Sequence, residues 1–172
     1  DAVLDGRIFA SGNDIDVRID GLASSQSVQS FSGNNNSLFI GRTGIVDGLN
    51  SAFASNSAID FIAGDAAGSG IGRISNEGQI RGNVCGVFLS AGDSDDRVIV
   101  QNSGSIRGEE AGILLGGSGR AVISNSGLIE GFTQGITTST QVFSFFQVGL
   151  DLTNTGTIRG PDFSVRTADA AD

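Results

Sequence analysis

Three carboxylates fall within four residues at Asp93-Ser94-Asp95-Asp96. Hard oxygen ligands on a flexible loop suit Ca²⁺, so Asp93, Asp95 and Asp96 are the candidate metal ligands. The competing reading is a solvated acidic loop tip, because the spacing matches neither an EF-hand nor an iterated nonapeptide calcium repeat. What else the chain could do is bounded by what it lacks. With no His, Lys or Tyr, it has no imidazole general base, no Ser-His triad, no Schiff-base lysine and no tyrosine acid. One Cys cannot build a thiolate zinc site, and no phosphate-binding Gly-x-x-x-x-Gly-Lys segment exists. Catalysis would fall to carboxylates and Arg: Asp60, Asp65, Asp93, Asp95, Asp96 and Asp151, with Arg81, Arg107, Glu130 and Arg159. Paired carboxylates serve glycoside hydrolysis.

These residues are positioned by a repeat. One phrase occurs four times, as Ile74-Ser-Asn76-Glu-Gly78-Gln-Ile80-Arg-Gly82, Val100-Gln-Asn102-Ser-Gly104-Ser-Ile106-Arg-Gly108, Ile123-Ser-Asn125-Ser-Gly127-Leu-Ile129-Glu-Gly131 and Leu152-Thr-Asn154-Thr-Gly156-Thr-Ile158-Arg-Gly160. A second signal follows each Asn at an offset of 10: Gly86-Val87, Gly112-Ile113, Gly135-Ile136 and Ser164-Val165. The Asn-to-Asn spacings are 26, 23 and 29, and all of that variation falls after the second signal. Units of this length cannot bury an apolar face alone; they stack, and insertions collect where the chain loops away from the stack.

Within each unit, apolar and polar residues alternate as in half-buried strands. Ile74, Asn76, Ile80 and Val87 are expected to point inward, and Ser75, Glu77, Gln79 and Arg81 outward. The phrase glycines are expected at corners, where φ > 0 is needed. The fold this predicts is all-β: a single-stranded parallel β-helix of about six coils. Its core columns are Ile74/Val100/Ile123/Leu152, Ile80/Ile106/Ile129/Ile158, Val87/Ile113/Ile136/Val165 and Leu89/Leu115. Asn76, Asn102, Asn125 and Asn154 form a structural column in which each amide bonds to turn backbone or to the next Asn, since an unpaired buried amide is costly.

Residues 1–172 read as one domain, with regular coils over 38–166 and a degenerate first coil over 1–37. Gly44-Ile45-Val46-Asp47-Gly48 followed by Ala52-Phe53 is taken as an earlier phrase with Arg42 in place of the Asn, and Gly6-Arg7-Ile8-Phe9-Ala10 as a fainter one. Composition agrees: 27 Gly, 1 Pro and no Trp, with abundant Ser, Asn, Ile and Val, suit strands and turns. The register is still running at Gly160, which predicts a larger parent chain. Fifteen Asp, 4 Glu and 10 Arg give a net charge of −9, which argues against nucleic acid and anionic membranes as partners. It also suits a high-salt setting. No apolar run is long enough to span a bilayer. Cys85 stands just before a corner glycine and reads as passive.

The pattern apolar-x-Asn-x-Gly-x-Ile-x-Gly, followed by Gly-Ile, resembles the β-helical repeats of bacterial secreted adhesins and autotransporter passenger domains, often found with RTX calcium repeats. The likeness covers roughly residues 38–166. Ala91-Gly92-Asp93-Ser94-Asp95-Asp96 is similar to linkers between such repeats, and Gly12-Asn13-Asp14-Ile15-Asp16 resembles a single RTX fragment. The resemblance implies secretion to the bacterial cell surface and a non-catalytic structural or adhesive module, with a polysaccharide or cell-surface ligand. The alternative is a carbohydrate-active β-helix, a lyase, epimerase or hydrolase, which would show Asp and Arg converging in a cleft. The outward column Arg81/Arg107/Glu130/Arg159 divides the two classes. It reads as a solvated charge ladder in which Glu130 relieves the repulsion between Arg107 and Arg159, or as a stripe for an anionic polysaccharide. Ice binding needs a flat regular array, and the mixed columns Glu77/Ser103/Ser126/Thr155 and Gln79/Ser105/Leu128/Thr157 are irregular. Finally, Val142-Phe143-Ser144-Phe145-Phe146-Gln147 breaks alternation, so Phe143, Phe145 and Phe146 are expected either to cover the solenoid or to form an interface for self-association or docking.

Overall fold

The computed structural model describes residues 3–5, 8–24, 29–49, 57–64, 70–138 and 148–166. The described residues form a parallel β-helix. Three parallel sheets wrap the core, with seven strands in the first and second and six in the third. The chain passes through the three in turn, so six full coils are followed by one more strand on each of the first two sheets. The expected count of about six coils holds.

Stacking follows the repeat. Along the third sheet Ile74, Val100, Ile123 and Leu152 pair in register, and along the first sheet so do Ile80, Ile106, Ile129 and Ile158. Val87, Ile113, Ile136 and Val165 do the same on the second sheet, beside Leu89 and Leu115. Like side chains thus meet at the ~4.8 Å strand spacing, and the result is a closed core in which Ile80, Val87, Val100, Ile106, Ile113, Ile123, Ile129 and Ile136 are fully buried. The core continues toward the first coils through Leu38, Val46, Ile59 and Phe61. There Phe31 and Phe61 stack with ring centroids 5.7 Å apart, filling the volume that aliphatic residues fill later.

Four early assignments are corrected. Ile40, not Arg42, lies beside Asn76, because the turn from Ile40 to Ile45 holds two more residues than the turn from Asn76 to Gln79. Arg42 projects from that longer turn with its side chain 88% exposed. The residues facing the Gly86-Val87 signal are Ala58-Ile59; Ala52 and Phe53 lie outside the described residues. In the first coil, Val3–Asp5 supplies the first-sheet strand and Phe9–Ser11 the second-sheet strand, so the echo at residues 6–10 is displaced by one strand. The supposed degenerate stretch contains ordered strands at Asp16–Ile19, Leu22–Ser24 and Gln29–Gly33.

The phrase glycines are also explained differently. Positive φ occurs at Gly12, Gly33, Gly64 and Gly117, all near the corner between the second and third sheets, and at none of the phrase glycines. Close approach is their reason. A Cβ on Gly104, Gly127 or Gly156 would lie within 3.0 Å of the carbonyl oxygen of the corresponding glycine one coil earlier. On Gly82, Gly108 or Gly131 it would meet the carbonyl oxygen of the third residue onward, across a two-residue corner.

Candidate functional site

The asparagine column is built as the sequence requires. Asn76 Nδ2 donates to Asn102 Oδ1, Asn102 Nδ2 to Asn125 Oδ1 and Asn125 Nδ2 to Asn154 Oδ1, each at 2.7 Å. The same amide nitrogens also donate to the carbonyls of Ser105, Leu128 and Thr157 at 3.1–3.2 Å, tying the ladder to the first strand of the next coil. Asn76 Oδ1, having no Asn before it, accepts from the Gly78 amide at 3.2 Å. Asn76, Asn102 and Asn125 are at most 2% exposed, so these bonds satisfy groups that would otherwise be costly to bury.

The acidic loop lies at the corner between the second and third sheets. Its three carboxylates are not brought together. Asp96 is 1% exposed and turned inward, where Oδ1 accepts from the Gly70 amide one coil back at 2.5 Å and Oδ2 from the Asp93 amide at 2.8 Å. Asp93 and Asp95 face solvent. Both Asp96 oxygens accept from N–H donors, and no group of three or more acidic, His or Cys side chains among the described residues is placed to hold a metal. Asn36 plays a similar part at the same corner two coils earlier, also just before a third-sheet strand. Its Oδ1 accepts from the Ile15 amide at 3.0 Å and its Nδ2 donates to Gly12 and Ser32 carbonyls at 2.9 Å. Asp96→Ala therefore strands two backbone amides, and denaturant unfolding should show a loss of about 2–3 kcal/mol, against less than ~0.5 kcal/mol for Asp93→Asn with Asp95→Asn.

The carboxylates named for catalysis are dispersed. Asp60 lies on the outer side of the second sheet, hydrogen-bonded by Ser57, and Asp151 on the third sheet; Asp65 is outside the described residues. Arg120 donates to both Asp151 oxygens at 2.6 Å, and that hydrogen bonding holds the Asp151 carboxyl below the usual aspartate range. Cys85 is sealed between Ser57 and Ala111 in its column. Burial, reinforced by the charges of Asp60 and Glu110, pushes its thiol up to about 12. It should resist thiol reagents at neutral pH in the folded chain and react at once in denaturant, which a colorimetric thiol assay reads directly.

A hollow on the described surface runs along the corner between the first and second sheets. It encloses ≈1270 Å³, and Arg81, Arg107, Glu130 and Arg159 line it together with Glu109, Glu110 and Phe132. Arg81, Arg107, Glu130 and Arg159 stack in successive coils, as expected. Glu130 sits between two guanidiniums, 3.0 Å from Arg107 and 2.6 Å from Arg159, and Arg81 bonds to Gln79. Glu130 thus holds two arginines side by side. Phe132 is 76% exposed and Leu49 42%, so the hollow also carries apolar surface. Phe132 was readable from sequence: it follows Gly131 in a two-residue corner whose side chains have no interior to enter. Phe143, Phe145 and Phe146 lie outside the described residues. No protein-family model, curated protein or solved structure matches the chain.

Proposed function

We propose that this chain is a non-catalytic structural or adhesive module of a secreted or cell-surface bacterial protein. The observation that supports it is the intramolecular engagement of Asp96, Asp151, Glu130 and the asparagine column. Asp96 closes a turn, Asp151 is held by Arg120, the asparagines bond to one another, and Glu130 has an arginine on each oxygen. A general acid–base pair needs at least one carboxyl free to exchange a proton with a substrate atom, and Glu130 in this setting instead fixes the guanidinium positions. An adhesive role would use the same hollow. Planar guanidiniums at coil spacing can hydrogen-bond sugar hydroxyls or carboxylates, while Phe132 offers a ring face for the apolar side of a sugar.

The hollow combines Arg and Glu, which is also the combination a carbohydrate-active enzyme would use. Incubation with a panel of acidic and neutral polysaccharides separates the two. A module gives no new reducing ends and no unsaturated product, and any binding falls with Phe132→Ala. Turnover by the wild type that disappears in Glu130→Gln would replace this reading with the enzymatic one.

A further inference from the structure

The hollow at the corner between the first and second sheets carries its charges in a fixed order. Along the first sheet the outward column runs Asp47, Arg81, Arg107, Glu130 and Arg159, one residue per rung at the ~4.8 Å strand spacing. Glu130 pairs with the guanidiniums on both sides of it, Arg107 at 3.0 Å and Arg159 at 2.6 Å. Arg81 and Arg107 also occupy adjacent rungs, and there like charges stand side by side with no carboxylate between them. Asp47, on the other side of Arg81, accepts from the Leu49 amide at 3.1 Å, and Arg81 makes no ion pair among the described residues.

Past Gly108 the sign reverses. Glu109 and Glu110 form the two-residue corner, both are exposed, and neither side chain has a hydrogen bond or ion pair among the described residues. Gly108 pairs with Gly131, so Phe132 holds the place of Glu109 one rung on, with its ring 76% exposed. Over three successive rungs the same hollow therefore offers two guanidiniums, two carboxylates and an aromatic face. That order decides the charge of a ligand. A polyanion seated on Arg81 and Arg107 is carried against Glu109 and Glu110, and a polycation seated on the glutamates is carried against the arginines, so each meets repulsion beside its attraction. A chain with both signs meets both sets of partners. Its ammonium is favoured further by the Phe132 ring and by the net charge of −9.

We infer that the hollow takes a zwitterionic polysaccharide, one that alternates uronate with amino-sugar units bearing an unblocked amine. The uronate carboxylate lies on Arg81 and Arg107, where it does for that pair what Glu130 does for Arg107 and Arg159. The ammonium lies on Glu109 and Glu110, and the apolar face of a sugar covers Phe132. The inference rests on the adhesive reading of the same hollow and adds the charge of the sugar to it.

The test measures binding of the full chain to three glycans: hyaluronan stripped of its N-acetyl groups as the zwitterion, hyaluronan itself as the polyanion and chitosan as the polycation. The zwitterion should bind about tenfold tighter than either of the others, and Arg81→Gln, or Glu109→Gln with Glu110→Gln, should weaken it about tenfold, the effect of one charge-assisted contact. The two variants should also shift preference in opposite directions, Arg81→Gln toward chitosan and the double glutamate variant toward hyaluronan. The comparison of the three glycans on the wild type needs no variant. No binding, equal binding of the three, or tighter binding of a singly charged glycan would overturn the proposal, as would variants that shift preference the same way. An alternating Glu–Lys peptide bound as tightly as the zwitterionic glycan would give the hollow to a protein partner and overturn it too. Neutral dextran held through Phe132 with no charge preference would leave the adhesive reading standing while this one fell. Turnover lost in Glu130→Gln would end the non-catalytic reading without altering the order of the three affinities, so the two conclusions fail separately.

Discussion

Asn125→Leu should lose about 3 kcal/mol of stability, while Ser126→Ala beside it should change stability by less than ~0.5 kcal/mol. Asn125 accepts from Asn102 and donates to Asn154, both at 2.7 Å, and it also reaches the Thr157 carbonyl at 3.2 Å. Leucine matches its size without replacing any of these bonds. It leaves a donor on Asn102 and acceptors on the coil beyond, in a column 2% exposed where water cannot substitute. Ser126 is exposed, and its hydroxyl makes one long bond of 3.4 Å to the Asn102 carbonyl. Thermal or urea unfolding of the two variants checks this, and equal losses would mean the ladder contributes nothing specific.

Gly104→Ala should be at least as damaging, by about 3 kcal/mol, and its sign is the informative part. Gly104 has no positive φ. A glycine of that kind with open space around it would be stabilised by alanine, by about 0.4–1 kcal/mol, because the unfolded chain loses freedom. Here the added methyl would lie within 3.0 Å of the Gly78 carbonyl oxygen and of Gly78 N, backbone atoms that cannot swing aside. Two coils must separate or shift, and the overpacking penalty applies. Gly149→Ala is the control, since its Cβ would find Arg120 Cγ at 3.6 Å, an ordinary contact. A neutral or stabilising Gly104→Ala in the same unfolding measurement would return these glycines to a purely conformational role.

Where the phrase is complete, its fixed offsets made both the columns and their inward direction readable. The difficulty began where an offset changed. Two extra residues between Ile40 and Ile45 moved the Asn-equivalent place from Arg42 to Ile40, and the longer corner after Gly48 carried the second-sheet strand on to Ser57–Ala63. In the early coils Ile19 and Ile40 stand in the Asn column, and an isoleucine there leaves no polar mark to align on.

The acidic loop shows a different limit. Asp93, Asp95 and Asp96 look alike in sequence, yet one of them is buried because Gly70, 26 residues earlier, has an amide at the right height. Partners across a coil are separated by a full turn of chain, so local spacing cannot tell a turn-closing carboxylate from a ligand. Close approach between glycines is hidden for the same reason, since the obstructing carbonyl belongs to the coil before. Phe132 is the opposite case, legible from its place in a two-residue corner and overlooked in favour of the phenylalanine run at 143–146.

The corner between the second and third sheets spans two residues at 118–119 and ten at 139–148, while the turn from third to first sheet holds two residues in each phrase. Loop length at that corner changes the perimeter of a coil without changing its contribution to axial height. Girth and length of the rod are therefore separately adjustable. One follows from insertions at the corners and the other from the number of rungs, so lineages of such a chain could remodel their outline while every rung kept its pitch.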